Sequence, residues 1–584
     1  MKKNLYLLLL LLSLPLLVLA QEKPIENPHI KWKFQSDAPI RGSVITEGDH
    51  IYFGNSAGIV YCLDKKTGKP LWQSKTGGAI NSAPALANDK IIIANRDNFV
   101  YAINKTDGKI TWNFMMQKVS PHTWGWDYYD ATPIVDGKTV YIGSGDHKLY
   151  ALNTDTGKPE WEFVTGDKIR ASPLVQQDKM YVSGFDGFVY CLDTKTGKLL
   201  NKFETEGVGY YGKVYGWDRT SITSKPAQKD SLLVFGSRDG GLYCINKDSF
   251  RKKWRFSYGS SWVGSSPVID QNTVFVGWSD QLVFSAIDLQ TGKELWQYNC
   301  HAYVYSTPTF DSKNVYVGSF NGNVYGFDKI SGKVNWEYQT GNAVLSSPVL
   351  ENGVLYIGSD NGYLYAFEEG EKSYKAVYQP QQTGQKALLS DEEITPYLES
   401  QGYERLDTNN LEDFLRKRIQ DKKPSVVVFA HDYLPVEVTG ENANESLLKK
   451  YMEAGGKVVW LGTFPNYWKV NKDMNITGYD TEYASELLGV TFDINMDFGT
   501  YFATSTQKGC EWGLPKTFNS SHSSIAINDG IKPLALNELG RVAAFYKAFG
   551  SKPYSGFISF RSWSLMPIRQ KDLETIRAIA ELGL

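Results

Sequence analysis

The sequence has little of most features that would announce a function. It carries no excess of either charge: Lys and Arg number 62 against 64 Asp and Glu, a net −2. That balance excludes the basic footprint of a nucleic-acid binder and the polybasic patch of a membrane-surface protein. There are only five cysteines and no C-x-x-C-H, so no c-type haem is attached. An odd number of thiols also cannot all pair within one chain. After residue 20, no apolar run is long enough to cross a bilayer.

The first twenty residues stand apart. "MKKNLYLLLLLLSLPLLVLAQ" has a basic start at Lys2 and Lys3, an apolar run, and Val18 and Ala20 ahead of Gln21. This reads as a secretory signal cleaved after Ala20. An uncleaved anchor is the alternative, though the run from Leu5 to Ala20 is short for a span. No Cys follows the run, so no lipidated N-terminus is expected. The expectation is an exported protein, periplasmic or secreted, soluble once the signal is removed.

What the sequence has in abundance is a repeat, about forty residues long. "YCLDKKTGKPLW" (61–72) returns as "YAINKTDGKITW" (101–112), "YALNTDTGKPEW" (150–161) and "YCLDTKTGKLLN" (190–201). It continues as "YCINKDSFRKKW" (243–254), "SAIDLQTGKELW" (285–296) and "YGFDKISGKVNW" (325–336), then fades in "YAFEEGEKSYKA" (365–376). Ahead of most copies lie a Ser-Pro or Thr-Pro strand and a second strand ending in a turn such as "DNG" or "FDG". Asn, Asp and Gly there tolerate the positive φ of tight hairpins. Each unit therefore reads as four short antiparallel strands, and radial stacking of eight such sheets is an eight-bladed β-propeller. The eighth copy lacks its Trp, whereas "HIKWKF" (29–34) has a Trp strand with nothing before it. Trp32 is thus expected in the outer strand of the last blade, closing the ring. Cys62, Cys191 and Cys244 fall where other blades have Ala or Gly, so they read as small apolar residues.

The pattern "Y-x-L-D-x-x-T-G-K-x-x-W", preceded by "SSP" and "VYVGS-x-x-G", resembles the pyrroloquinoline-quinone-type propeller repeat over about residues 30–370. That repeat occurs in quinoprotein dehydrogenases and in the propeller lipoprotein of the outer-membrane β-barrel assembly machinery. The dehydrogenase resemblance implies a quinone beside Ca²⁺ and, in several members, a disulfide of adjacent cysteines. This chain has no Cys-Cys pair. Asp127, Asp130 and Asp218 are the candidate oxygen ligands for such a cation.

Two long insertions, "SPHTWGWDYYDATP" (120–133) and "KVYGWDRTSITSKP" (213–226), precede the inner strands of blades three and five. Both centre on Gly-Trp-Asp, and both are expected on the face that carries the hairpins between second and third strands. They bring Trp124, Trp126, Asp127, Tyr128, Tyr129, Tyr215, Trp217 and Asp218 there, with Tyr210 and Tyr211 alongside. Arg170, Trp262, Tyr303 and Tyr305 join them from blades four, six and seven, and Arg41 and Asn81 add donors. One reading is an aromatic plug over the channel. The other, favoured here, is a site for sugar rings or a protein segment.

The repeat stops after Glu371. Apolar strands then alternate with helix-period segments, which predicts βαβ units and a mainly parallel, flavodoxin-like sheet. "LLKKYMEAGGKVVWLG" (447–462) resembles the class I glutamine-amidotransferase-like fold, whose active members carry a nucleophilic Cys after the strand. Thr463 and Phe464 stand there instead, so the catalytic role does not carry over. His431 after a buried strand, and a Cys510–His522 pair, are the remaining chemical candidates.

The organisation expected is therefore a signal at 1–20, an eight-bladed propeller at 21–371, and a degenerate amidotransferase-like α/β domain at 372–584. The function expected is recognition of a glycan or an envelope protein, without catalysis and without a cofactor. The alternatives are an assembly scaffold and a quinoprotein dehydrogenase using pyrroloquinoline quinone and calcium.

Overall fold

The computed structural model describes all but residues 1–21, 118–130, 209–218, 381–392, 432, 441, 462–467, 472–474, 480–481, 490–500, 521–529, 551, 553 and 561–567. It divides into two compact units, Met1–Gly370 and Glu371–Leu584.

The first unit is an eight-bladed propeller of four-stranded antiparallel sheets. Seven blades are contiguous in sequence: 45–75, 85–115, 134–164, 174–204, 227–256, 268–299 and 309–339. The eighth takes its three inner strands from 349–369 and its outer strand, Pro28–Gln35, from the other end of the chain. Trp32 pairs there with Ala366.

The blades are joined by tryptophan. Trp72 of blade one lies over Gly108 of blade two and donates its indole N–H to Lys105 O at 2.8 Å. A Cβ on Gly108, whose φ is +72°, would come 2.7 Å from that ring, so the turn needs glycine for both space and conformation. Trp32, Trp112, Trp161, Trp254 and Trp296 repeat the bond to the next blade. The residue across the strand from each Trp must be small, because the ring folds over it. That position holds Cys62, Ala102, Ala151, Cys244, Ala286, Gly326 and Ala366. Burial pushes the Cys62 and Cys244 thiols up to about 12, which leaves them protonated.

Two joints depart from the pattern. Between blades seven and eight, the T-G-K turn is missing from the eighth repeat, and the N-terminal segment takes its place. Ile25 is fully buried, accepts the Trp336 indole N–H at 2.8 Å, and donates its own N–H to Tyr316 Oη at 3.0 Å. Between blades four and five, Asn201 stands at the Trp position and Phe250 at the Gly position. Phe250 is buried, stacks on Tyr181 with ring centroids 6.3 Å apart, and holds φ = +56°. The aromatic ring at this joint thus comes from the opposite blade.

The second unit is built on a nine-stranded sheet. Its order is Glu404–Leu406, Tyr374–Tyr378, Ser425–Phe429, Lys457–Trp460, Gly556–Phe560, Val542–Ala548, Lys532–Asn537, Tyr501–Ser505 and Thr517–Ser520. The first five strands are parallel and the rest antiparallel, so the sheet is mixed rather than mainly parallel. The reason is connector length: only Glu538–Arg541 separate two of the antiparallel strands, whereas a parallel crossover needs a dozen or more residues. Leu411–Asp421 and Leu447–Glu453 cover one face, and Ile394–Ser400 and Gln570–Glu581 the other. Lys457, on the central strand, is buried and donates to the carbonyls of Ile579, Ala580 and Leu582 at the end of the last helix. Burial pushes its pKa down to about 7.

Two outcomes are expected. Phe250→Gly opens a void offset only in part by relief of the positive φ, costing about 2–4 kcal/mol. Adding Asn201→Trp rebuilds the regular joint and recovers most of that loss, measured by denaturant unfolding. For Lys457, the unfolded ammonium titrates near 10.4 and the folded one near 7, so unfolding takes up a proton between those values. Unfolding free energy of the second unit then rises from about pH 7 to about pH 10 in the wild type. Lys457→Met flattens that rise.

Candidate functional site

Each propeller blade enters its inner strand through the same step, and the residue ahead of the proline position faces the central channel. Ser43, Thr132, Ser172, Ser266, Thr307 and Ser347 hold this place in six blades, Ala83 in the second and Lys225 in the fifth. All eight line a cavity of about 130 Å³. The hydroxyls have a structural duty, since each can accept the N–H of the matching residue in the preceding blade. Thr132 N donates to Ser172 Oγ at 2.9 Å, Lys225 N to Ser266 Oγ at 2.9 Å, and Thr307 N to Ser347 Oγ at 2.8 Å.

Two residues upstream in each step, Arg41, Asn81, Arg170, Thr223, Tyr305 and Leu345 line the same cavity. Arg41 is held by a two-pronged pair with Asp360, both N–O distances being 3.0 Å. The tip of the second-to-third-strand hairpin is bonded to the segment entering its own blade. Arg96 N reaches Ala79 O at 3.0 Å, and Phe320 N reaches Tyr303 O at 3.0 Å. Hairpin tips and incoming segments therefore share one face, and Gln117 and Ala131, like Val208 and Arg219, belong to such incoming segments.

Aromatic side chains cluster on that face. Tyr303 and Tyr305 stack with centroids 5.8 Å apart and 7° between planes, and Phe320 meets both edge-on. Gly264 makes room for this, because a Cβ there would lie 2.3 Å from Tyr305 Cδ1. Trp262 packs beneath the Arg238 guanidinium, 4.5 Å from its ring centroid, with Arg219 at 6.0 Å. Arg238 also lies over Phe185 at 5.3 Å. Its ring is thus already engaged by cations.

Of the residues expected at the site, Arg170 and Tyr305 line the cavity, Tyr303 stacks against Tyr305, and Trp262 stands beside them on the same face. Trp124, Trp126, Asp127, Tyr128, Tyr129, Tyr215, Trp217 and Asp218, with Asp130, Tyr210 and Tyr211, lie outside the described residues. Lys225 was not singled out from the sequence. Its signal was available: aligned repeats put a lysine where every other blade has Ser, Thr or Ala.

The recurring turn aspartates have a structural role. Asp97, Asp146, Asp186 and Asp239 each accept the phenol O–H of the tyrosine four residues on, at 2.6 Å. The described lining of the cavity is cationic and contains no carboxylate, a donor set that does not fit Ca²⁺. No group of three or more His, Cys, Asp or Glu suited to a metal occurs among the described residues.

In the second unit, His431 lies just beyond the strand Ser425–Phe429, with neither ring nitrogen hydrogen-bonded. Burial holds its pKa below the usual histidine value, which favours the neutral ring. Cys510 is exposed on the short helix Gln507–Glu511, and His522 lies outside the described residues.

A closed ring of eight sheets around a channel lined by one residue per blade defines a propeller of the quinoprotein-like repeat class. A family model described as "Outer membrane protein assembly factor BamB" matches residues 29–124, 117–212 and 186–396, which together exceed half of the sequence. The chain belongs to that family. Residues 368–582 match a second model, the MJECL34 family. Among curated proteins, none matches the sequence. Of solved structures, BamB from Moraxella catarrhalis is similar at 18% identity and a TM-score of 0.51, over 58% of this chain and 99% of its own. A europium-containing methanol dehydrogenase is similar at 14% identity and a TM-score of 0.48, over 59% of this chain and 95% of its own. The likeness to the Moraxella catarrhalis structure agrees with the propeller fold seen here.

If Trp262 is fixed by its cations, Arg238→Met should lower propeller stability by about 0.5–2 kcal/mol. Arg219→Met, whose guanidinium is farther from the ring, should cost less in the same denaturant series.

Proposed function

We propose that this protein is an exported recognition protein of the cell envelope, and that the channel face of its propeller binds an envelope protein or glycan. The observation that carries this reading is the cavity itself. It opens among Arg41, Arg170 and Tyr305, and the aromatic residues of 118–130 and 209–218 are proposed to join it from the segments that lead into blades three and five. Aromatic and arginine side chains around a concavity are the groups that dominate binding energy at protein surfaces. Membership of a family described as an outer-membrane assembly factor favours a protein partner over a glycan. On this reading the signal at 1–20 is removed and the chain acts outside the cytoplasm. A quinone–calcium dehydrogenase is disfavoured by the cationic lining.

The second unit is proposed to be a degenerate relative of the class I amidotransferases serving as an interaction module. Its parallel half supports that kinship, and the lack of Cys after Lys457–Trp460 supports a non-catalytic role.

The test is binding of the mature protein to purified outer-membrane assembly components by interferometry, and to cell-wall polysaccharides by thermal shift. Trp126→Ala combined with Trp217→Ala should weaken binding by about thirtyfold or more while leaving the melting temperature of the free protein unchanged. A large fall in melting temperature instead marks both rings as plugs of the channel.

A further inference from the structure

We propose that the propeller channel holds a small carboxylate, bound by the Lys225 ammonium. Lys225 departs from the ring in two ways that each carry a cost. It brings a charge into a cavity where the other blades place hydroxyl or methyl groups. It also has no acceptor to offer the Ser172 N–H, the bond that Ser172 itself gives to Thr132 and Ser266 gives to Lys225. Among the described residues, neither the Lys225 ammonium nor the Ser172 N–H has a hydrogen-bond partner, and no Asp or Glu lines the cavity. Arg41 is already matched by Asp360. Lys225 is half-buried, an ammonium withdrawn from water without a partner is disfavoured, and desolvation accordingly holds its pKa below the usual value.

A carboxylate in the cavity resolves both departures. One oxygen accepts from Lys225 Nζ, and the Ser172 N–H, at the matching position of blade four, is the donor proposed for the other. At roughly 10–15 Å³ of such space per water-sized group, the cavity takes on the order of ten non-hydrogen atoms, the size of a simple acid or an acidic sugar. A fused-ring quinone is larger. The proposal rests on the channel face being a recognition surface, yet it fails separately, because its probe enters the channel rather than spanning the aromatic insertions.

The experiment is a thermal and calorimetric titration of the mature full-length protein with sodium acetate replacing sodium chloride at constant ionic strength. The wild type is expected to gain stability along a single-site saturation curve, reaching the stabilisation set by the ratio of ligand to dissociation constant. Lys225→Met should lose that response, and Lys225→Arg should keep it. In chloride alone, Lys225→Met should melt at or above the wild type, because an uncompensated charge has been removed. Glucuronate and N-acetylglutamate are the two further probes. Tighter binding of the first assigns the carboxylate to an acidic sugar, and of the second to an acidic side chain. Identical acetate responses in wild type and Lys225→Met overturn the proposal, as does a Lys225→Met protein that melts far below the wild type in chloride. Should Lys225→Met fail to fold, the absence of any acetate binding heat with the wild type overturns it equally. Partner binding left unchanged in the Trp126 and Trp217 variants, with the acetate response intact in the wild type, removes the recognition reading while leaving the carboxylate site standing.

Discussion

A tryptophan ring laid across the gap between two sheets is the interaction on which the propeller depends. A four-stranded sheet whose inner strand has only two or three residues is barely stable alone. Each buried indole contributes about 2–3 kcal/mol of transfer energy, and its N–H satisfies a carbonyl in the next blade. The demands of that ring then fix the sequence around it. They require glycine with positive φ beneath its face and a small residue across the strand. They also explain why two thiols, Cys62 and Cys244, lie where they can do no chemistry.

With the blades held from outside, the inner positions are released from packing duty. Hydroxyls there need only accept one N–H from a neighbour, a modest requirement that tolerates exceptions. Ala83 and Lys225 are the exceptions, and Arg41, Arg170 and Tyr305 stand two residues upstream, at a neighbouring level of the same channel. Structural regularity and chemical individuality are thereby separated by radius: outer strands repeat, inner strands differ.

Much of this was legible in the sequence because the propeller is one solution written eight times. The spacing of Trp72, Trp112 and Trp161 gives the outer strands, and the stray Trp32 gives the closure. Asn201 and Phe250 are departures of two separate repeats, and their compensation is visible only when facing blades are brought together. Lys225 went unread for a related reason: it is conspicuous only against its seven counterparts. In the second unit the helix-flanked strands Ser425–Phe429 and Lys457–Trp460 were readable as continuous apolar runs. The antiparallel strands from Tyr501 to Ala548 were not, because polar and apolar residues mix along them and their order depends on short connectors.

Closure by the two ends of one chain also imposes an order on biogenesis. Lys31 and Glu368, which meet across the last sheet, are 337 residues apart in sequence. The strand synthesised first must therefore stay unpaired until nearly the whole ring has emerged, with Ile25 waiting for a slot between the last two blades to form. Contacts of such sequence separation make for slow folding. Until they form, both edges of the open ring offer unpaired strand backbone to other chains. Any machinery that handles this protein before it is complete meets an arc with two sticky ends, and its task is to keep them apart from everything except each other.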